Sequence, residues 1–289
     1  MGESLWALFF LAPMAIGLVI FYLGPVLATF YYSFTHMGVF GGAKWIGLAN
    51  YVQVVTSPRI QHALWNTLLY TAIIICSIPV SLVIATLLDL KGLRFVGFFR
   101  LMFFLPIITL PVAIGWLWKI MLNGNYGVIN GILNDFGQAS HPWLAQSSTA
   151  LAAVSIVGVW ASIGYPVVLF IAALKGVPAD VYEAAKIDGA GPVRRFFSIT
   201  IPMISPTIFF VTVLTIIGAL QMFDLVYVMI GTQNPAIADT ETVIYLFYRT
   251  AFIDNDKGLA SAIVFSLMII VMLLTALQFR LQRRWVHYG

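Results

Sequence analysis

A chain of 289 residues that is 61% hydrophobic and only 9% charged is not an ordinary soluble domain, in which about a quarter of residues are charged. Its formal net charge of +4 does not call for a nucleic-acid partner, because in a membrane protein the placement of Lys and Arg matters more than their sum. The single cysteine, Cys76, excludes an internal disulfide and any CxxC metal or redox motif.

Six apolar stretches are expected to cross a bilayer: Leu5–Tyr32, Leu64–Leu88, Phe98–Leu122, Ser148–Leu174, Met203–Ile230 and Leu259–Leu281. Each reaches the roughly 20 residues that a span requires. The first lacks a basic leader (Met1-Gly2-Glu3-Ser4) and exceeds a signal-peptide core, so it reads as a retained span. The runs are continuous rather than alternating, which argues against a strand barrel. Helices keep their backbone hydrogen bonds internal in hydrocarbon. The expected fold class is therefore all-α, a polytopic membrane helical bundle of about six transmembrane helices. Pro13, Pro25, Pro79, Pro106, Pro111, Pro166 and Pro206 fall inside these stretches and are expected to bend them.

The loops between spans set orientation. Lys91, Arg94, Arg100, Lys175, Lys186, Arg194, Arg195, Arg280, Arg283 and Arg284 lie on one side; Lys44, Arg59, Arg249 and Lys257 lie on the other, with Lys119 near a span end. The basic side is expected inside, with both termini cytoplasmic.

The loop 175–202 differs from the others. It reads KGVPADVYEAAKIDGAGPVRRFFSITIP. Pro178 suits a helix start, and Asp180 and Glu183 suit its positive end. Gly189 and Gly191, followed by Pro192, suit a stop. A short helix from Pro178 to about Asp188 is expected. Val181, Ala184, Ala185 and Asp188 would share one face, its small side chains open to close approach. A second amphipathic stretch, Val193 to Ile201, leads into the fifth span.

Glu183-Ala184-Ala185, three residues, Gly189, nine residues, then Ile199-Thr200-Ile201-Pro202 resembles the EAA loop of binding-protein-dependent ABC importer permeases. Ile201 replaces the leucine of that pattern. YEAAKIDGAG, MFDLVYVMIGTQNP and the tail FRLQRRWVHY are similar to the carbohydrate-uptake branch, the MalF-like and UgpA-like permeases. Gln233-Asn234 stands where that branch carries Gly-Gly before the proline. The resemblance runs from about Leu5 to Tyr288.

The resemblance implies a single transmembrane permease domain over 1–289 with a cytoplasmic EAA coupling helix, in a bacterial or archaeal inner membrane. It implies a second homologous permease, a dimeric ATPase and an extracytoplasmic solute-binding protein as partners, with lipid around the spans. Glu183, Ala184, Ala185, Asp188 and Gly189 would form the ATPase-coupling surface. The chain itself would need no cofactor, ATP and Mg being bound by the ATPase; the sequence has no phosphate-binding GxxxxGK[ST] loop. The solute would be an oligosaccharide, a monosaccharide or a polyol phosphate. Trp160, Ser162 and Tyr165 in the fourth span, and Gln221, Asp224 and Tyr227 in the fifth, are candidates for its pathway: aromatic faces stack on sugar rings, and an ionisable group inside a span is a functional candidate. His36, His62, His141 and His287 are too scattered for a metal site. WASIG around Ser162 lacks the first glycine of a hydrolase elbow, which argues against a membrane enzyme. An ion-gradient-driven secondary transporter is the alternative. It accounts for six spans and kinks, but not for the EAA spacing.

Overall fold

The computed structural model describes residues 2–37, 41–90, 92 and 94–286, with side chains from Phe9 onward. Lys91, His287 and Tyr288 lie outside the described residues. Among the described residues, four helices are long and apolar enough to cross a membrane, and two bent helix pairs bring the total to six if each pair is one span. The chain resolves into two compact units.

One unit comprises Met1–Gln61 and Leu246–Ile270. Its first span, Phe9–Tyr32, has no residue buried within the chain, as fits a helix apolar on every side. At Val19–Leu23 the helix widens by one residue, and the Gly24 N–H bonds back to the Val19 carbonyl. This widening directly precedes Pro25, which has no N–H to give. After the span, Thr35–His36 pairs antiparallel with Lys44–Trp45. Buried Asn50 locks this turn by donating to the Ser33 and Thr35 carbonyls, each at 2.9 Å. The start of the last long helix, Lys257–Gln282, closes on the same turn: the Lys257 N–H bonds the Met37 carbonyl at 3.2 Å. Gly258 lies so near the Thr35 carbonyl that any Cβ there would collide with it.

The other unit comprises His62–Tyr245 and Val271–Gly289, and it holds the bundle core in two layers. One layer gathers Tyr70, Ile74, Ile114, Val154, Val157, Val226 and Met229. The second gathers Ile78, Leu82, Ala85, Val167, Phe170, Leu174 and Val211. Helices Ser77–Leu88 and Gly164–Lys175 pack along much of their length. Ser81 Oγ bridges them by donating to the Ile163 carbonyl at 3.0 Å. Gly164 lets helix Val96–Ile108 approach until the Phe103 carbonyl fills the space of a Cβ.

Two expected spans are not continuous. The stretch Phe98–Leu122 breaks into Val96–Ile108 and Pro111–Met121, bent by 104°. Thr109 and Leu110 are extended there; Leu110 precedes Pro111, and a residue before proline is pushed out of the helical region. Met203–Ile230 is also broken. Helix Pro192–Met203 meets Ser205–Leu220 at 71°, and that second helix stops at Leu220. The chain turns through Gln221–Phe223 before a wide helical turn at Val226–Ile230. Pro206 at the start of the central helix cannot extend the preceding ladder.

Candidate functional site: loop helix and membrane cavity

Loop 175–202 folds as a helix from Ala179 to Ile187 with Pro178 at its N-cap and Asp180 in the first turn. It closes in a Schellman arrangement. The Ala190 N–H bonds the Ala185 carbonyl at 2.9 Å, and the Gly189 N–H bonds the Lys186 carbonyl at 3.1 Å. This closure requires a left-handed residue at Gly189, whose φ is +73°. Tyr182 and Thr200 share a hydroxyl hydrogen bond of 2.9 Å, joining the loop helix to the stretch that re-enters the bundle. Val177, Phe196 and Ile201 pack on the core layer of Leu174 and Ile204.

Glu183, Ala184, Asp188 and Gly189 are exposed on this helix. Ala185 is not: it is 9% exposed and covered by its own chain. The largest open apolar group is Ile187, 87% exposed, which the spacing argument passed over. A bulky apolar residue that follows Lys186 in a polar loop was the available signal.

Within the bundle, spans two, four and five enclose a cavity of about 440 Å³. Tyr70 and Ile74 contribute from the second span, Ser162 and Tyr165 from the fourth, and Thr215 and Met222 from the fifth and its end. Ser162 and Tyr165 stand on either side of a slight bend at Ile163 in the span Ser147–Lys175, and both line the opening. The other four pathway candidates lie elsewhere. Trp160 is half-buried and packs edge-on against Trp118 at 5.7 Å. Gln221 caps its helix and is exposed. Asp224 is exposed in the segment past that helix end. Tyr227 stacks on Phe223 at 5.1 Å.

Tyr70 and Thr215 line the cavity and escaped the sequence reading. Tyr70 is 1% exposed. Its hydroxyl touches Gly158, where a Cβ would overlap it. The missed signal was a polar stripe at helical spacing: Asn66, Thr67, Tyr70 and Thr71 are all buried on one face of the second span. Its outer members tie the bundle together. Thr67 Oγ1 accepts the Val243 N–H at 3.0 Å, and Asn66 Nδ2 donates to the Glu241 carbonyl at 3.2 Å.

Comparison with known proteins agrees with this architecture. The probable ABC transporter permease YurN of Bacillus subtilis is 34% identical over 276 residues, covering 94% of each chain. The sn-glycerol-3-phosphate transport system permease UgpA of Agrobacterium fabrum is 34% identical over 281 residues, covering 96% of this chain and 94% of its own. The arabinooligosaccharides transport system permease AraP of Bacillus subtilis is 30% identical over 274 residues, covering 94% and 87%. A chain in the crystal structure of a bacterial alginate ABC transporter, in complex with an alginate pentasaccharide-bound periplasmic protein, shares the fold with a TM-score of 0.87 at 20% identity, over 99% of this chain and 97% of that one. Residues 77–287 match the binding-protein-dependent transport system inner membrane component. The chain belongs to that family and is a multi-pass transport permease of the inner membrane, not an enzyme.

Proposed function

We propose that this permease imports a sugar or sugar-like solute, and that loop 175–202 is its point of coupling to a separate ATPase. The observation that carries the reading is the Schellman-closed helix Ala179–Ile187, which offers Glu183, Ala184 and Ile187 to a partner while Tyr182 ties it to the bundle. Glu183 meets a basic or donor group of the ATPase. Ala184 and Ile187 fill its apolar cleft, and Asp188 and Gly189 hold the helix end. Ala185 supports the helix from within.

Four hydroxyl-bearing residues, Tyr70, Ser162, Tyr165 and Thr215, line a cavity whose volume of about 440 Å³ falls within the ~300–1,000 Å³ typical of small-molecule sites. The rest of the wall, with Ile74, Pro166, Leu214 and Met222, is apolar, so a hydroxyl-rich solute would find a few polar contacts beside apolar faces for its ring carbons. Trp160, Gln221, Asp224 and Tyr227 belong to the approach to this cavity rather than to its wall. The relatives named for glycerol 3-phosphate and arabinooligosaccharides support the same solute class.

On this reading the chain works as one permease domain beside a second, homologous permease. An extracytoplasmic binding protein delivers solute, a dimeric ATPase binds ATP and Mg, and both termini lie in the cytoplasm. The test is reconstitution in liposomes. Uptake should require the second permease, the ATPase, the binding protein and ATP together. Robust uptake by this chain alone, driven by an ion gradient, would overturn the importer reading.

A further inference from the structure

A second cavity, of about 290 Å³, opens at the far end of the bundle from loop 175–202. Leu144 and Ala145 line it just ahead of the span Ser147–Lys175, and the loop begins where that span ends. A 29-residue span at 1.5 Å per residue separates the two ends by about 40 Å. The cavity's walls are largely polar, with Lys119, Asn123, Asn125 and Asn234 among them and no acidic side chain.

The hydrogen bonding at this cavity is one-sided. Asn123 Oδ1 accepts the N–H groups of Asn125 at 2.9 Å and Tyr126 at 3.3 Å. Asn234 Oδ1 accepts the Ala236 N–H at 2.9 Å. Both amide oxygens are thus committed to the turns that shape the site. Both NH₂ groups remain without a partner among the described residues. Lys119 Nζ donates to the Val228 carbonyl at 3.0 Å and lies 5.0 Å from the centre of the Trp116 ring. An ammonium carries three donors and no acceptor, so two N–H bonds are left over. Apart from the exposed amide of Asn125, which offers both a donor and an acceptor, what remains to be satisfied is one positive charge and the NH₂ donors of Asn123 and Asn234. Hydrogen bonds from a cation to a carboxylate or phosphate are the strong ones.

We propose that this cavity is an anion subsite that receives the carboxylate or phosphate of an acidic solute before the solute reaches the membrane cavity. The identity of the ligand as a solute rests on the importer reading; the anion binding does not.

The test uses the full chain in lipid nanodiscs, with tryptophan fluorescence as the readout. The probes are galacturonate and sn-glycerol 3-phosphate, against galactose and glycerol. The acids should give a saturable response that the neutral probes do not. Asn123→Asp and Asn234→Asp each keep the oxygen that holds its turn but replace the donor with a negative charge. Each should weaken the acid response by about tenfold or more, the usual worth of a charge-assisted hydrogen bond. Lys119→Met should do the same, and Lys119→Arg should retain binding. An equal response to neutral and acidic probes, or unchanged binding in both Asp variants, would overturn the subsite and leave Lys119 as a tie to Val228.

In the assembled importer, the Asp variants should slow uptake of an acidic solute and leave docking of the solute-free binding protein unchanged. Loss of docking instead would give the carboxylate to the binding protein and overturn the assignment to solute. Absence of ATP-driven uptake with acid binding intact would remove the importer reading alone.

Discussion

Two glycines carry consequences out of proportion to their size. At Gly158 a Cβ would overlap the Tyr70 hydroxyl and approach Ile74 Cδ1 to 2.8 Å. Gly158→Ala must therefore displace Tyr70, a cavity residue, at the ~1–3 kcal/mol typical of overpacking. Uptake should fall severalfold while the complex still assembles. Adding Tyr70→Phe removes the overlapping oxygen and should recover part of the loss. Unchanged uptake in Gly158→Ala would mean that Tyr70 does not shape the route. Gly189 differs, because open space surrounds it and only its φ of +73° constrains it. A β-branched side chain there opposes the left-handed turn by roughly 1–2 kcal/mol. Gly189→Val should loosen the helix end and weaken ATPase association in pull-downs, with membrane insertion unchanged. The special role of Gly189 was legible in the sequence, since a helix pattern followed by Gly-Ala-Gly-Pro signals a stop. That of Gly158 was not: a glycine inside an apolar run gives no sign of which side chain lies against it.

Among elements, the loop helix was the most legible and the bent spans the least. Capping signals are local, so Pro178, Asp180 and Gly189 announced the helix within a residue or two. Which of its side chains face out depends on what the loop packs against, and that is tertiary information. Ala185 is hidden, on a loop that Val177, Phe196 and Ile201 seat on the bundle, and Ile187 is left open. Glu183→Lys should therefore uncouple ATP hydrolysis from uptake by reversing a charge at the ATPase contact. Ile187→Asp should weaken ATPase binding without lowering the thermal stability of the isolated chain, because an 87% exposed side chain contributes little to the fold. Wild-type coupling in both variants would reduce the loop to a solvated connector. Hydrophobicity located the third and fifth spans but could not show their breaks. Pro111 and Pro206 are compatible with a mild kink or with a corner, and only packing decides. The cavity candidates divided for the same reason. Ser162 and Tyr165 sit within a span that stays helical and lines the cavity. Gln221, Asp224 and Tyr227 lie beyond the end of a helix that the apolar pattern extended to Ile230.

Across the whole molecule, the asymmetry of ten basic residues against four makes a single directional claim: loop 175–202 is inside the cell. A lone cysteine at Ala190, in a Cys76→Ser background, should resist membrane-impermeant maleimide in intact cells and react in inverted vesicles. The background change leaves Ala190→Cys as the one thiol, since Cys76 lies within the span Pro58–Leu88. Labelling in intact cells would reverse the orientation and end the coupling argument. The 71° corner at Ile204 then acquires a mechanical meaning. One arm, Pro192–Met203, follows directly from the loop helix. The other, Ser205–Leu220, carries Leu214, Thr215, Gly218 and Ala219 in the cavity wall. A force applied along the first arm meets the second nearly broadside, so it arrives as torque rather than thrust. If the loop is pushed by an ATPase as proposed above, a rigid joint of this kind would work as a bell crank, turning a sideways push into a swing of one cavity wall with no sliding of the span through the bilayer.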